Sequence, residues 1–578
     1  MHKHFPTLLV LLTLLASCSG EVEKEQFEYA GGTFKTVLPF NPVDIDIENI
    51  NDGYTINMVQ QVLEGLYELN SITLEPEMRL VSDLEISEDG LIYTFTVRND
   101  IYFHPHARIG DKHKLEVIDI IKSFEHACRS NKLGEPSVFY QTVFENKVKG
   151  ADNYYLGKSK SISGLKADGN KLVIELLKSD VSFLDKLCIP SAKIVPGEMA
   201  DEEEASSLIG TGPFIYKGTQ FVDDASVIVL TKNKNYYRYD DNGKALPYLD
   251  TVEFLIESRN LHQLAHFEEG KIHYIEGIPP SRIAQMFETQ SERFFSSPPE
   301  ILLRRKPMLG TQYYALNMDS PHLKDKRVRQ ALNLALDREK LIDEILNDQA
   351  YGPGSRGLVP PFLFSDYDDV FGDSVGYKFD LVEAKRLLAE AGYPEGIGFP
   401  TLKLKFDRGT IHSAIAGEFA MQMEQNLGIQ VNIDGLEYQE LVDALNKGKG
   451  DIFRTSWYAD YKSPETFLYS FNSFLVPKKS GASSKVNISR FKNQNFDGVY
   501  AEATKTKEDK RRLELFAKAE EILIDEVPFI VLWYEEAISM TQAKVRNLEI
   551  NEVDTYYLDR VFLKDWTVEE YESTLTKH

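Results

Sequence analysis

The chain has 578 residues, 42% of them hydrophobic and 27% charged, and 65 Lys and Arg against 90 Asp and Glu give a formal net charge of −25. A globular chain of that length divides into several lobes. Its acidic balance argues against nucleic acid, whose phosphates demand a basic face, and its three cysteines form no metal pattern of the CxxC kind.

Lys3 is followed by an apolar run from Leu8 to Leu15 and then by Ala16-Ser17-Cys18. A charged start and an apolar stretch too short to span a bilayer mark residues 1–17 as a signal peptide. Leu15-Ala-Ser-Cys18 resembles a bacterial lipobox, which implies cleavage before Cys18 and lipidation of its thiol. Removing residues 1–17 takes away one Lys and no acid, so −25 becomes −26. Residues 18–30, with Glu21, Glu23, Glu25 and Glu28, read as a flexible tether. Cys128 and Cys188 remain, able either to pair in an oxidising compartment or to serve as small buried apolar groups.

Within residues 58–69, Val59, Val62, Leu63 and Leu66 stand at helical spacing. Glu88-Asp89-Gly90 is a turn signal. After it Ile92, Thr94 and Thr96 alternate with Tyr93, Phe95 and Val97, the pattern of a hairpin strand. The spacing predicts a helix over 115–128 and a strand over 171–177 after the turn at 167–170. Gly210-Thr-Gly-Pro-Phe-Ile-Tyr216 reads as a glycine-flanked approach to a strand. Residues 252–256 alternate again and lead into a helix near 260–269. Tyr313 to Asn317 is an apolar strand, and 325–346 reads as one long amphipathic helix. A helix over 382–391 is closed by Gly392, a strand follows at 402–406, and a helix over 413–427 is closed by Gly428 before a strand at 429–433. A final helix at 512–524 precedes the buried strand Val527 to Trp533. Strands alternating with helices imply α/β units.

The segment Arg454-Thr-Ser-Trp-Tyr-Ala-Asp-Tyr-Lys-Ser-Pro464 places Asp460 among Trp457, Tyr458 and Tyr461. A lone carboxylate beside aromatic rings suits capture of a cation, because both attract ammonium. Acid/base catalysis would want a second titratable partner nearby. A structural reading stands beside this one: Ser463 reads as a helix N-cap and Pro464 as the first helical residue, with the acids as partners of the helix dipole. Trp457 fits either a core at a strand end or the wall of a cleft. Other patterns are weaker. Gly372-Asp-Ser-Val-Gly376 has the form of a nucleophile elbow but lacks the buried strand before it and the helix after it. His262 and His266 could share a helix face as metal ligands, and His104, His106 and His113 could offer nitrogen ligands in one loop; a surface helix and a polar loop are the simpler readings. The basic run Lys324 to Arg329 is most simply a solvated face.

Taken together, Leu63-Glu-Gly-Leu-Tyr67, Ser87-Glu-Asp-Gly-Leu-Ile-Tyr-Thr-Phe-Thr-Val-Arg98, Gly210-Thr-Gly-Pro-Phe214, Lys326-Arg-Val-Arg-Gln-Ala-Leu-Asn-Leu-Ala-Leu-Asp-Arg338, Ala384-Lys-Arg-Leu-Leu-Ala-Glu-Ala-Gly-Tyr393, Trp457-Tyr-Ala-Asp-Tyr461 and Val527-Pro528 resemble the extracellular solute-binding proteins of ABC importers, family 5, the dipeptide/oligopeptide-binding type. The resemblance implies an α/β, periplasmic-binding-protein-like fold: two hinged lobes of the Venus-flytrap kind with an additional domain in the amino-terminal half. The first lobe would comprise 27–57, 190–305 and 528–578, the extra domain 58–189, and the second lobe 306–527, with ligand in the closing cleft.

It further implies a substrate-binding lipoprotein that captures short peptides and delivers them to ABC permease subunits. Such a protein has no enzymatic activity and no cofactor, is monomeric, and sits in the periplasm on a lipid anchor. An extended peptide would be held by main-chain hydrogen bonds. Asp460 occupies the position that pairs with the peptide's α-amino group, and Arg454 the position where some oligopeptide binders hold the ligand's carboxylate. The family's Phe-His-Asp-Gly-like turn is replaced here by the longer Phe103-His-Pro-His-Ala-Arg-Ile-Gly110. The alternative keeps the cleft and changes the cargo to an oligosaccharide, an opine, haem or a nickel chelate.

Overall fold

A computed structural model of the chain describes residues 31–575, except 43–44, 46, 51, 130–135, 201–207, 223–224, 280–281, 364–366, 368–375 and 480. The signal peptide, Cys18, the tether and Ser374 therefore lie outside the described residues.

Three sheets organise the molecule. In the first, Thr33–Leu38 runs parallel to Thr251–Ile256, which continues antiparallel to Ala225–Lys232 and then Phe214–Val222. Phe34, Leu230 and Phe254 bury its inner face against the segment from Val545 to Val561. The second sheet, of seven strands, is built on two long antiparallel strands, Ile301–Leu316 and Phe529–Gln542. Tyr274–Glu276 and Gly352–Pro353 pair with the latter, and Ile452–Tyr458 with the former; Leu402–Asp407 and Val431–Leu436 follow in parallel. The third sheet is antiparallel throughout, ordered Val81–Ile86, Ile92–Val97, Lys171–Glu175 and Leu165–Asp168.

The hairpin pattern is realised as read. Gly90 takes φ +71° in the turn, which a side chain resists, and Tyr93, Phe95 and Val97 are buried where the alternation places them. Each such side chain contributes about 2 kcal/mol of burial. Gly210 and Gly212 lie against the Val62 carbonyl, where a Cβ at either would collide. Gly428 closes Thr410–Leu427 at φ +70°.

Four expectations differ. The apolar spacing of 58–69 belongs to no single helix: Gly53–Val59 is helical, and Tyr67–Leu69 is a strand on Pro76–Met78. The turn between them is packed so tightly that a Cβ at Gly65 would stand 3.0 Å from Tyr67 O and 3.1 Å from Ala192 O. The expected helix over 325–346 is broken into Lys326–Leu334, Arg338–Leu341 and a wider turn at Ile342–Leu346. Asp337 starts the second piece by accepting from the Lys340 amide at 3.3 Å, and the buried Arg338 turns inward to Val531 O at 2.6 Å. Arg329 is not on a solvated face. It is 2% exposed and donates to Glu526 O, Val527 O, Leu323 O and Lys324 O. Finally, the strands expected at 313–317 and 527–533 are the last residues of Ile301–Leu316 and the first of Phe529–Gln542, strands of 16 and 14 residues.

Those two strands carry two irregularities, a larger one before Thr311 and a one-residue shift at Leu532, between Gln312 and Tyr313. Ile301 to Pro307 pair with Gln542 to Glu536 and Thr311 to Ala315 with Tyr534 to Phe529, so Met308, Leu309 and Gly310 bulge opposite Glu535 alone.

Candidate functional site

Strand Ile452–Tyr458 carries the segment singled out in the sequence. Its register sets Arg454 opposite Tyr314, Trp457 opposite Thr311 and Tyr458 opposite Gly310. Alternation along the strand puts Arg454 and Tyr458 on one face and Trp457 on the other. The chain then turns at Ala459, whose amide donates to Leu309 O at 2.8 Å, and enters helix Pro464–Tyr469. Ser463 caps that helix, its Oγ accepting from the Glu465 amide at 3.1 Å, with Pro464 in the first turn.

Asp460 sits in this turn, partly buried. Thr466 Oγ1 gathers the local polar groups: it accepts from Trp457 Nε1 at 3.3 Å and from the Asp460 amide at 3.4 Å, and it donates a long bond to Asp460 Oδ2 at 3.5 Å. Asp460 forms no ion pair with any described residue. Burial pushes its carboxyl up to about 6, opposed only by the Thr466 hydroxyl. A carboxylate kept half out of water without a cation is a site for one supplied by a ligand.

The other predicted residues separate into distinct places. Trp457 is half-buried and tied to Asp460 through Thr466. Tyr461 is 2% exposed and belongs to the core that contains Phe467 and Tyr500. Tyr458 is 40% exposed, yet its hydroxyl accepts from Gln312 Nε2 at 3.2 Å. Gln312 Nε2 also donates to Glu535 at 2.6 Å. Arg454 is buried with its guanidinium 5.6 Å from the Trp533 ring centre, and Nη1 donates to Thr455 O at 2.7 Å. No hydrogen bond joins Arg454 to Asp460; its charge acts instead on Glu535, where it opposes the rise that burial causes, and on Asp407, where it adds to the lowering by His412.

Sequence reasoning missed Thr466, Gln312 and Glu535. For Glu535 a signal existed: two acids follow directly on the buried run ending at Trp533-Tyr534. For Thr466 and Gln312 none did, since their roles come from register.

The histidines read as possible metal ligands have other work. His104 is buried between Gly210 and Gly212, its Nε2 2.9 Å from Gly212 O, and burial lowers its pKa to about 4. His262 lies 3.4 Å from Glu257. Among the described residues no three His, Cys, Asp or Glu side chains converge as a metal set. Cys128 and Cys188 are separate buried thiols.

A family model described as bacterial extracellular solute-binding proteins, family 5, matches residues 75–474. The chain belongs to that family. A probable di/tripeptide-binding protein 5 of Pseudomonas aeruginosa is 25% identical over 93% of this chain and 96% of its own length. Heme-binding protein A of Haemophilus influenzae is 25% identical over 93% and 95%. The solved structure of the periplasmic binding protein DppA of Helicobacter pylori, in complex with peptide STSA, superposes with a TM-score of 0.77 at 22% identity, covering 93% of this chain and 99% of that one. The periplasmic-binding-protein fold expected from the sequence is therefore shown. As a member of a solute-binding family the chain is placed outside the cytoplasm, and among the described residues no helix is long and apolar enough to cross a membrane.

Proposed function

We propose that this family 5 protein captures short peptides with a free amino terminus and hands them to an ABC importer. Asp460 pairs with the ligand's α-ammonium, and Trp457 and Tyr458 flank it. The observation that carries this reading is the Asp460 carboxylate, raised by burial and left without a cation. The Pseudomonas and Helicobacter relatives, a di/tripeptide binder and a peptide complex by their descriptions, agree with it. Haem fits the site less well, because its propionates would meet further carboxylates beside Tyr458 rather than cations. Arg454 serves in this reading as a charge behind the cleft wall, not as the partner of the ligand's carboxylate. In this reading the chain has two lobes, 27–57 with 190–305 and 528–578, and 306–527, with an extra domain at 58–189 and the long strand pair as hinge.

Calorimetric titration of trialanine against N-acetyl-trialanine tests the ammonium role. The free peptide should bind and the acetylated one should bind at least about tenfold more weakly, a difference of about 1.4 kcal/mol. Asp460→Ala should remove that difference. Equal binding of the two peptides by the native protein would sink the assignment. The lipid anchor at Cys18 belongs to the same proposal. Cells fed labelled palmitate should label the native protein and not Cys18→Ala, and label on the variant would reject the anchor.

A further inference from the structure

Three carboxyl groups from three distant stretches of chain act on Tyr458 and on one another. Glu276 ends the strand Tyr274–Glu276, Glu535 lies on Phe529–Gln542 opposite the bulge, and Asp554 follows that strand. The side chains of Glu276 and Asp554 are hydrogen-bonded to one another, so one of the two carries a proton. Burial, and then the charge of Glu276, hold Asp554 well above the ordinary carboxylate range; burial likewise raises Glu276 and Glu535. Tyr458 senses all three, its phenol raised by burial first and then by Glu535, Asp554 and Glu276.

Nothing nearby neutralises the group. Among the described residues none of the three forms an ion pair within 4.0 Å. The remaining groups that face them are Asp52 and Tyr54 from the first helix, Tyr274, Tyr556 and Glu536, and the one cation, Arg454, which acts on Glu535 from beyond ion-pair range.

Acids gathered in a fold are not in themselves a site; a further observation points to a ligand. Gln312 is 6% exposed, and its amide is fixed among these residues by Nε2 donating to Glu535 and Tyr458. Its acceptor Oε1 is buried with no hydrogen-bond partner. Buried acceptors are otherwise almost always satisfied. An orphaned amide acceptor beside a buried carboxyl calls for a group that is rich in donors and positively charged. Glu276 also lines a small recess with Thr36, Tyr54, Asn57, Tyr274 and Tyr556.

We propose that Glu276, Asp554, Glu535 and Gln312 form a subsite for the guanidinium or ammonium side chain of a basic residue in the bound peptide. The inference rests on the peptide reading above and deepens it by naming a preferred ligand class. On binding, the cation replaces the proton shared by Glu276 and Asp554. That proton passes to solvent, and the pair gains the negative charge that the ligand's positive charge balances.

The test is a position scan by calorimetry on the native protein. Trialanine is compared with tripeptides in which arginine, or its uncharged analogue citrulline, replaces each alanine in turn. At one position arginine should bind at least about tenfold more tightly than citrulline. Repeating that titration in phosphate and in Tris should show up to about one proton more released for arginine than for citrulline, since the Asp460 linkage is common to both. In Glu535→Gln and in Asp554→Asn the arginine-to-citrulline ratio at that position should fall towards one. The ratio, unlike the absolute affinity, does not change with the fraction of folded protein. Should either variant not fold, the native scan and the proton release decide alone. No arginine preference at any position, or a preference that both variants retain, overturns the subsite. If trialanine and every tripeptide fail to bind, the peptide reading has failed. Agmatine then decides the subsite by itself: binding to the native protein that is lost in Glu535→Gln upholds it, and no binding overturns it.

Discussion

At the scale of single residues, Asp460 ties pH to function with a definite sign. Its carboxyl titrates at about 6 in the folded chain against 3.8 ordinarily. Between those values the folded protein holds more protons than the unfolded one, so stability falls as pH rises through the window. Asp460→Asn should therefore stabilise the ligand-free protein at neutral pH, on the order of 1 to 2 kcal/mol, seen as a higher melting temperature. Ligand binding runs the other way. An ammonium pairs with the carboxylate and not with the acid, so affinity for trialanine should climb as pH rises through about 6 and then level off. A profile flat across that range, in calorimetry, would reject Asp460 as the partner. This acid was legible in the sequence because its aromatic neighbours and its helix cap lie within a few positions of it. Glu276 and Asp554 were not: the pairing of Tyr274–Glu276 with Phe529–Gln542 places one, and hydrogen bonds from Asn57 and Leu309 to the chain beyond that strand place the other.

At the scale of elements, Arg329 shows what helical periodicity conceals. The pattern of Lys326–Leu334 makes 329 a charged position in a basic run. The structure rotates it inward, onto the last carbonyls of helix Asp509–Glu526. Those carbonyls have no partner within their own helix and carry its negative end, so a guanidinium with several fixed donors is the side chain that satisfies them. Arg329→Met keeps the volume and removes every donor. It should cost about 3 kcal/mol or more by leaving buried carbonyls unpaired, read as a lower urea midpoint at unchanged slope. Arg329→Lys should recover part of the loss, through charge without the fork. A midpoint unmoved by Arg329→Met would show that water serves those carbonyls equally well. The broken helix at 325–346 teaches the same lesson. Its apolar spacing was real, but Asp337 begins a new piece by capping the Lys340 amide, and Arg338 turns inward to Val531 on a strand almost 200 residues away. Strands read from alternation were placed correctly, while their lengths were not, since pairing extends them past the apolar run.

At the scale of the whole molecule, the bulge in the long strand pair is where a hinge and a binding site would act on each other. Met308, Leu309 and Gly310 stand opposite Glu535, and Gly310 supports the Tyr458 ring. A Cβ there would lie 2.7 Å from Tyr458 Cε1 and 3.0 Å from Glu535 Cβ. Gly310→Val must therefore displace Tyr458, Glu535 or the strand pairing itself, at a cost of about 1 to 3 kcal/mol for overpacking. Ligand that touches both sides of the strand pair should close the molecule, because it binds the closed arrangement better than the open one. Small-angle scattering of the native protein should show the radius of gyration fall on saturation with trialanine. Gly310→Val should remain folded by circular dichroism, need a higher peptide concentration for the same contraction, and reach it incompletely. If the native protein binds peptide with no change in its scattering profile, the strands are a rigid spine and not a hinge. If Gly310→Val closes as the native protein does, the bulge is only a packing irregularity, and control of closure must be sought elsewhere on the strand pair.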